Sequence, residues 1–438
     1  MRGRPARRAT LALTLVLALL AAVAPLAAQA AWSRPFELVK PGSLDYLPTQ
    51  LTFSPGGAAA AAFGILDVDT PGSSQAYVVS RSAGGVVGQP VAIAGAREVL
   101  ALGFDGPALE LLTGASPSGL DCCSSAQAIR ITGGGAVQPP QTLVGGLAGA
   151  TLGQLVTLAG GRMLAAVATE RGVWTLQSGG GNRFTGRRRL TTAGQAPESL
   201  AAGWLGAENS LVAWTAATGP AGFADPRSIF FSLGSKRSAP RRAHTLLRAG
   251  IGHRIDELAV ARRRSGATAA WVESWYDRAG SYHSQVRAAD FGSRPQIRSL
   301  SPAAGLAAGI SFAADAAGAQ AVAWKTCNAG GSCTVHAATR GPSAGFRAAV
   351  SLGSIDASQT PALTVGPRGE TLVGWVRSGH PVAAVGSAAS GRFGAPRVLS
   401  ASVYALDMTV AFGPRRNALA AWTQGTLNTS VVAAAYTG

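Results

Sequence analysis

The sequence has few acids, few aromatics and almost no lysine. Asp and Glu number 21 in 438 residues, Phe, Trp and Tyr make up 6%, and lysine stands only at Lys40, Lys236 and Lys325. There is no His-Glu-x-x-His zinc helix, no phosphate-cradling Gly-x-x-x-x-Gly-Lys loop and no twelve-residue calcium loop, so the chemistries those motifs support are excluded. Gly133-Gly-Gly135 and Gly179-Gly-Gly181 are glycine-rich, but each reads as a hairpin turn between strands, with no helix behind it to hold a phosphate. No complete catalytic constellation appears, and no cofactor is implied. Beyond the first thirty residues no apolar run is long enough to cross a bilayer as a helix.

Those first thirty residues have their own grammar. Arg2, Arg4, Arg7 and Arg8 precede an apolar stretch from Leu11 to Ala24, and Ala28-Gln-Ala30 has the small-x-small form of a cleavage site. Residues 1–30 are therefore read as a secretory signal peptide, with a retained N-terminal anchor as the alternative, and residues 31–438 as one extracytoplasmic domain. Removing the four leading arginines from the formal charge of +17 leaves +13, nearly all of it arginine. The richness in Ala, Gly and Arg suggests a bacterial genome of high GC content, which explains part of that charge. A generally basic surface is the plainer account of the rest, and attraction to acidic polymers is the functional one. Arg187-Arg-Arg189, Arg241-Arg242 and Arg262-Arg-Arg264 lack the interleaved aromatics of a single-strand stacking platform, which argues against nucleic acid.

Four cysteines in an exported chain have the option of oxidation. Cys327 and Cys333 flank the flexible Asn328-Ala-Gly-Gly-Ser332, and a disulfide stapling that loop is expected. Cys122 and Cys123 are adjacent and have three options: a vicinal bridge, free thiols, or pairing elsewhere. Only His336 lies near either pair, so no metal site is expected.

What the chain has in abundance is repetition. Phe63, Leu112, Val167, Trp214, Trp271, Trp324, Trp375 and Trp422 recur about every fifty residues, each after a short Gly-, Asp- or Asn-containing turn. The clearest unit has four short apolar strands separated by turn residues: Leu363–Val365, Thr371–Trp375, Val382–Val385 and, after Gly391–Pro396, Val398-Leu399. A Phe-led fourth strand returns at Phe184, Phe291, Phe346 and Phe393, yet the unit beginning at Met408 ends without one. The missing strand sits at the other end of the chain, in Ser33–Val39. A ring closed in this way leaves no open edge, which favours a propeller over a solenoid. The expected fold is all-β: a propeller of eight four-stranded blades, or seven if the degraded second and third units are not both blades. The recurring bulky ring reads as packing between neighbouring sheets.

This blade grammar resembles that of secreted bacterial propeller-repeat proteins of the sialidase-like type, across residues 31–438. The family's Asp-box is echoed only loosely, by Ala313-Ala-Asp315-Ala-Ala-Gly318 in a first hairpin. The resemblance implies the propeller fold without carrying sialidase activity over.

In a propeller the loops between strands two and three share a face with the blade-to-blade connections. Here that set is long and polar: 67–74, 113–125, 215–227, 273–284 and 325–332. Binding groups concentrate on such loops. The richest holds Glu273, Trp275, Tyr276, Asp277, Arg278, Tyr282 and His283, and the preceding connection adds His253, Arg254, Asp256 and Glu257. Those residue types suit sugar binding or acid–base chemistry; an exposed polar loop resting on the blade top is the plainer alternative. Asp67 and Asp69 fall short of a calcium shell. The expected role is non-catalytic binding or scaffolding by a monomer, its partner an extracellular glycan, wall polymer or protein. The alternative is a carbohydrate-active hydrolase or lyase, which requires carboxylates or arginines from several blades to converge on the axis.

Overall fold

The computed structural model describes residues 31–438 apart from 43–44, 47–48, 67–74, 116–124, 147–151, 158–161, 179–182, 193–196, 206–208, 218–226, 236–237, 241, 292–294, 304, 402–403 and 426–428. The described residues form strands and turns and no helix. Eight antiparallel sheets follow one another along the chain. The inner strands of blades one to eight are Gln50–Phe53, Glu98–Asp105, Leu152–Thr157, Pro197–Trp204, His253–Arg263, Leu306–Ala314, Ala362–Val365 and Ala405–Phe412. In blade one an extra short strand, Asp45–Tyr46, pairs with the same partner as Gln50–Phe53. The count is therefore eight, and the two degraded units are complete blades.

The eighth blade closes as its missing strand requires. Thr429–Thr437 is bordered on its outer edge by Ala31–Trp32 and Phe36–Gly42, with Phe36 opposite Ala433 and Ala31 opposite Thr437. Leu38 enters a buried cluster with Phe63, Ile65, Ala421 and Val431, tying the N-terminal strand into the seam between blades eight and one.

Second strands are almost continuously apolar because both of their faces are covered by neighbouring blades. Trp214, Trp271, Trp324, Trp375 and Trp422 are 0–1% exposed, and each packs against the blade before it; Trp271, for example, meets Ala201, Ala213 and Ile229 of blade four. Phe63 and Val167 occupy the same place in blades one and three. Leu112 does not. It points to blade three, and its neighbour Leu111 fills the tryptophan position against blade one. With a side-chain period of two, a one-residue slip of the repeat reverses the face. The alanine run Ala59–Ala62 is strand despite its helical propensity, since every member is buried between sheets that leave no room for larger groups.

Turn chemistry matches this architecture. Gly57, Gly318 and Gly369 close first hairpins with φ of 91°, 91° and 81°. At Gly318 a side chain would also meet the backbone of Arg264 at 2.3 Å, so this glycine permits the close approach of blades five and six. A polar bolt crosses the same seam: the buried Arg340 donates to Asp290 and Gln320 and stacks on Phe346 at 4.5 Å. Cys327 and Cys333 lie opposite each other on strands two and three of blade six and form the expected disulfide. Cys122 and Cys123 lie outside the described residues.

Closure by strand addition yields a first prediction. Deleting residues 31–42 should expose the edge of Thr429–Thr437 and remove the buried side chain of Leu38. Lower thermal stability together with concentration-dependent self-association by light scattering is expected. A monodisperse deletion variant with an unchanged melting midpoint would contradict the role assigned to this strand.

Candidate functional site

The inner strands surround an axial channel. Their first residues open on the face that also carries the loops between strands two and three, here called the upper face. A cavity of about 500 Å³ lies there, lined from blades one to six by Gln50, Glu98, Leu100, Gln154, Glu198, Asp256, Glu257 and Ile310, among others. Four of the chain's scarce acids therefore converge at one mouth of the channel.

A backbone device recurs there. The pairing of inner and second strands slips at Val99/Ala101, Pro197/Ser199, Ile255/Glu257, Ala308/Ser311 and Leu406/Thr409. Bulges of this kind release one residue from the ladder and re-aim its side chain. The residues released in the first three blades are Leu100, Glu198 and Asp256, and all three line the cavity. In blade eight the released segment holds Asp407, with φ of 48° and a carboxyl that burial pushes above the ordinary carboxylate range.

Glu198 and Asp256 belong to neighbouring blades and share one cation. Arg254 donates from its terminal nitrogen to Glu198 Oε2 at 2.9 Å, and its Nε meets Asp256 Oδ1 at 2.6 Å. Ser274 also donates to Asp256 Oδ2. Glu257 reaches the other way, into the bulge of blade six, where it accepts the amides of Gly309 at 2.8 Å and Ile310 at 2.7 Å. The carboxylates thus stitch blades four, five and six together at the upper mouth.

The remaining expected site residues form a second group on the tall fifth blade. His253, Trp275 and His283 stand opposite one another across three strands, and their rings stack at 5.0 Å and 5.6 Å. Each histidine is anchored by an acid: His253 Nδ1 to Glu273 at 2.6 Å, His283 Nε2 to Asp277 at 2.9 Å. Glu273 is buried under the stack, where Trp271 and Arg287 also hold it. Tyr276 and Tyr282 pair beside the column at 5.2 Å and are 69% and 43% exposed. Arg278 is exposed in the hairpin tip.

The structure therefore divides the expected residues. Arg254 and Asp256 face the channel with Glu198, while His253, Glu273, Trp275, Tyr276, Asp277, Tyr282 and His283 build the blade-five column. Glu98, Glu198, Gln50 and Gln154 join the site without belonging to any motif in the sequence. Their signal is faint: each lies at or near the start of an inner strand, but only the bulges and the ring closure bring them together. Gly341-Pro-Ser343-Ala-Gly345 has the spacing of a nucleophile elbow, but it lies in a turn before the fourth strand of blade six with no helix following, so the elbow geometry is missing. Asp67 and Asp69 lie outside the described residues. Among the described residues no group of three His, Cys, Asp or Glu side chains is placed to hold a metal.

No family model matches the chain, and no curated protein matches it. Solved structures do. A protein of unknown function from Dyadobacter fermentans covers 93% of this chain and 99% of its own, at 9% identity and TM-score 0.46. An ulvan lyase, a polysaccharide lyase, covers 79% and 93% at 10% identity and TM-score 0.49. An α-L-arabinanase from Penicillium chrysogenum, complexed with arabinobiose, covers 92% and 98% at 9% identity and TM-score 0.43. At such identities and scores these likenesses bear on no activity.

The blade-five hairpin carries a prediction about acid. Asp277 titrates below the ordinary carboxylate range, foremost because His283 donates to it, helped by the amides of Ser281 and Ala279. A carboxylate with a lowered folded value contributes order that is present above the unfolded pKa, about 3.9, and is lost as pH falls through the folded value. Hydrogen exchange at the amides of Ala279 and Ser281 should stay protected down to about pH 4 and accelerate below it beyond the intrinsic rate. In Asp277→Asn the protection should be weak at every pH, and equal protection in both proteins would refute the assignment.

Proposed function

We propose that this protein is a non-catalytic, extracytoplasmic binding propeller that takes a hydroxyl-rich glycan at the upper mouth of its channel. The observation that carries the reading is the convergence of carboxylates and amides from five blades in one concave site, on the face that also presents Tyr276 and Tyr282. Carboxylate and amide oxygens accept hydrogen bonds from sugar hydroxyls, and aromatic faces pack against pyranose C–H surfaces, so both parts of sugar recognition are supplied. The disulfide and the N-terminal segment suit an exported protein.

A hydrolase at the same mouth is the second reading. Glu198 and Asp256, on adjacent blades and bridged by Arg254, are the observation in its favour. Glycoside hydrolysis needs one carboxyl group that hands its proton to the leaving oxygen while the other attacks or activates water. Here both groups are acceptors for one guanidinium, and Glu257 is filled by two backbone amides. Groups held this way orient a ligand better than they exchange a proton with it.

Binding of residues 31–438 to an array of neutral and acidic oligosaccharides separates the readings. Glu98→Gln paired with Gln154→Ala should weaken a specific signal by roughly tenfold, the scale of one or two lost hydrogen bonds. Replacing Trp275, Tyr276 and Asp277 by Ala tests whether the blade-five column takes part. No reducing ends should appear on prolonged incubation with the bound glycan. Their appearance in wild type but not in Glu198→Gln would establish the hydrolase, and absence of any glycan signal would end both readings.

A further inference from the structure

The turns joining strands one and two, and those joining three and four, share the face opposite the candidate site. Arginine dominates the charge there. Arg264, Arg368 and Arg415 stand exposed in or beside the first hairpins of blades five, seven and eight. Arg183, Arg242 and Arg392 stand exposed beside the third-to-fourth connections of blades three, four and seven. Among the described residues no ion pair engages any of these six.

The described carboxylates on the same side are taken up internally. Asp105 and Glu110 hold Arg130, Asp290 holds Arg263 and Arg340, and Glu370 holds Arg416. Asp315 is buried and accepts the amide of Ala319 within its own turn. Asp315 lines the lower mouth as well, but it and the other acids are held in buried or half-buried contacts, so the exposed, unpaired charge of this face is arginine. On the upper face the balance differs, with Glu98, Glu198, Asp256, Glu257, Asp277 and Asp356 gathered there. A genome-wide preference for arginine would enrich both faces alike and does not account for this partition.

At the centre of the basic face the lower mouth of the channel is a concavity of about 380 Å³, lined among others by Phe53, Phe104, Phe412, Pro55, Pro367 and Pro414. Arg368 and Arg415 directly follow two of these prolines. Like charges around a low-dielectric hollow concentrate their field, and guanidinium forks match carboxylate and phosphate oxygens.

We propose that this lower face is an electrostatic docking surface for a linear, base-free polyanion whose charge is carried by carboxylate or phosphate groups, leaving the upper mouth open to its own ligand. Nucleic acid fits less well. The aromatics beside these arginines, Phe53, Phe104 and Phe412, are buried or half-buried in the mouth, and the exposed ones among the described residues, Tyr276, Tyr282 and Tyr404, lie on the upper face, so no exposed platform for stacking bases stands there. Among the described residues no helix is available to enter a groove either.

The test measures binding of residues 31–438 to polygalacturonate, to inorganic polyphosphate, to poly(dT) and to neutral dextran, between low and physiological salt. Binding to polygalacturonate or polyphosphate that weakens steeply with salt is expected, and the pair tells which oxyanion is preferred. Replacing Arg264, Arg368 and Arg415 together by Gln should weaken it roughly tenfold or more. Replacing Arg171, Arg227 and Arg377, an equal charge on the upper side, should change it less than about twofold. Each arginine of the first set is also replaced alone, so a folding defect in the triple variant would leave the graded single losses as the readout. Equal loss in both triple variants would reduce the effect to bulk charge and overturn the proposal. So would tighter binding to poly(dT), or no binding to either oxyanion polymer.

Discussion

Everything in this molecule depends on blades packing face to face around a ring that must close. A single four-stranded blade covers neither of its own faces, and its central strands are too apolar to stand in water. Trp214, Trp271, Trp324, Trp375 and Trp422 resolve this by burying a large ring against the preceding sheet, each at no more than 1% exposure. Around them alanine and valine keep adjacent sheets close, so that Ala165, Ala213, Ala269, Ala323 and Ala420 are all buried. The last unit lacks a fourth strand, and Phe36–Gly42 supplies it from the chain's beginning. The N-terminal strand is thus a structural lock whose loss is felt around the whole ring.

A closed ring also decides where chemistry collects. Inner strands run side by side along the channel, so anything that disturbs their start appears at the upper mouth. Five of them carry bulges near that end, and two of the residues so released, Glu198 and Asp256, meet at Arg254. The cost of placing carboxylates near the axis is offset by using them as ties between blades: Glu257 caps the open amides of the blade-six bulge, and Arg254 neutralises its two neighbours. Positioning and cohesion are here the same contacts, and a ligand at the mouth would bind to groups already fixed in place.

Much of the fold was legible in the sequence because its signals are local and periodic. Hairpin residues, apolar second strands and the absent last strand together point to a closed ring of eight blades, with seven left open until the second and third sheets are seen complete. The errors are as physical as the successes. The repeat points to Leu112 where Leu111 fills the tryptophan position, because in an unbroken apolar run nothing in the sequence distinguishes the two faces. The upper site was only half visible. His253, Glu273, Trp275 and His283 are crowded into one hairpin and its entry strand and drew notice together. Gln50, Glu98, Gln154 and Glu198 are more than forty residues apart from one another and meet only after closure. No local pattern announces a bulge that turns Glu198 inward, so the sequence alone does not reveal the convergence of carboxylates on the axis.

The same topology separates charge by face. Successive connections alternate between the two ends of a blade, so a turn sequence repeated in each unit lands repeatedly on the same side. Gly366-Pro-Arg368 and Gly413-Pro-Arg415 are copies of one turn, and duplication of the unit places a second arginine beside the lower mouth without any change elsewhere. Acids at the starts of the inner strands accumulate at the upper mouth by the same logic, as Glu98, Glu198 and Asp256 do. A propeller with differently charged faces follows from repetition alone, once the two kinds of turn differ in composition. That polarity keeps the two ends from competing for one ligand, since a polyanion drawn to the lower arginines is repelled by the carboxylates above.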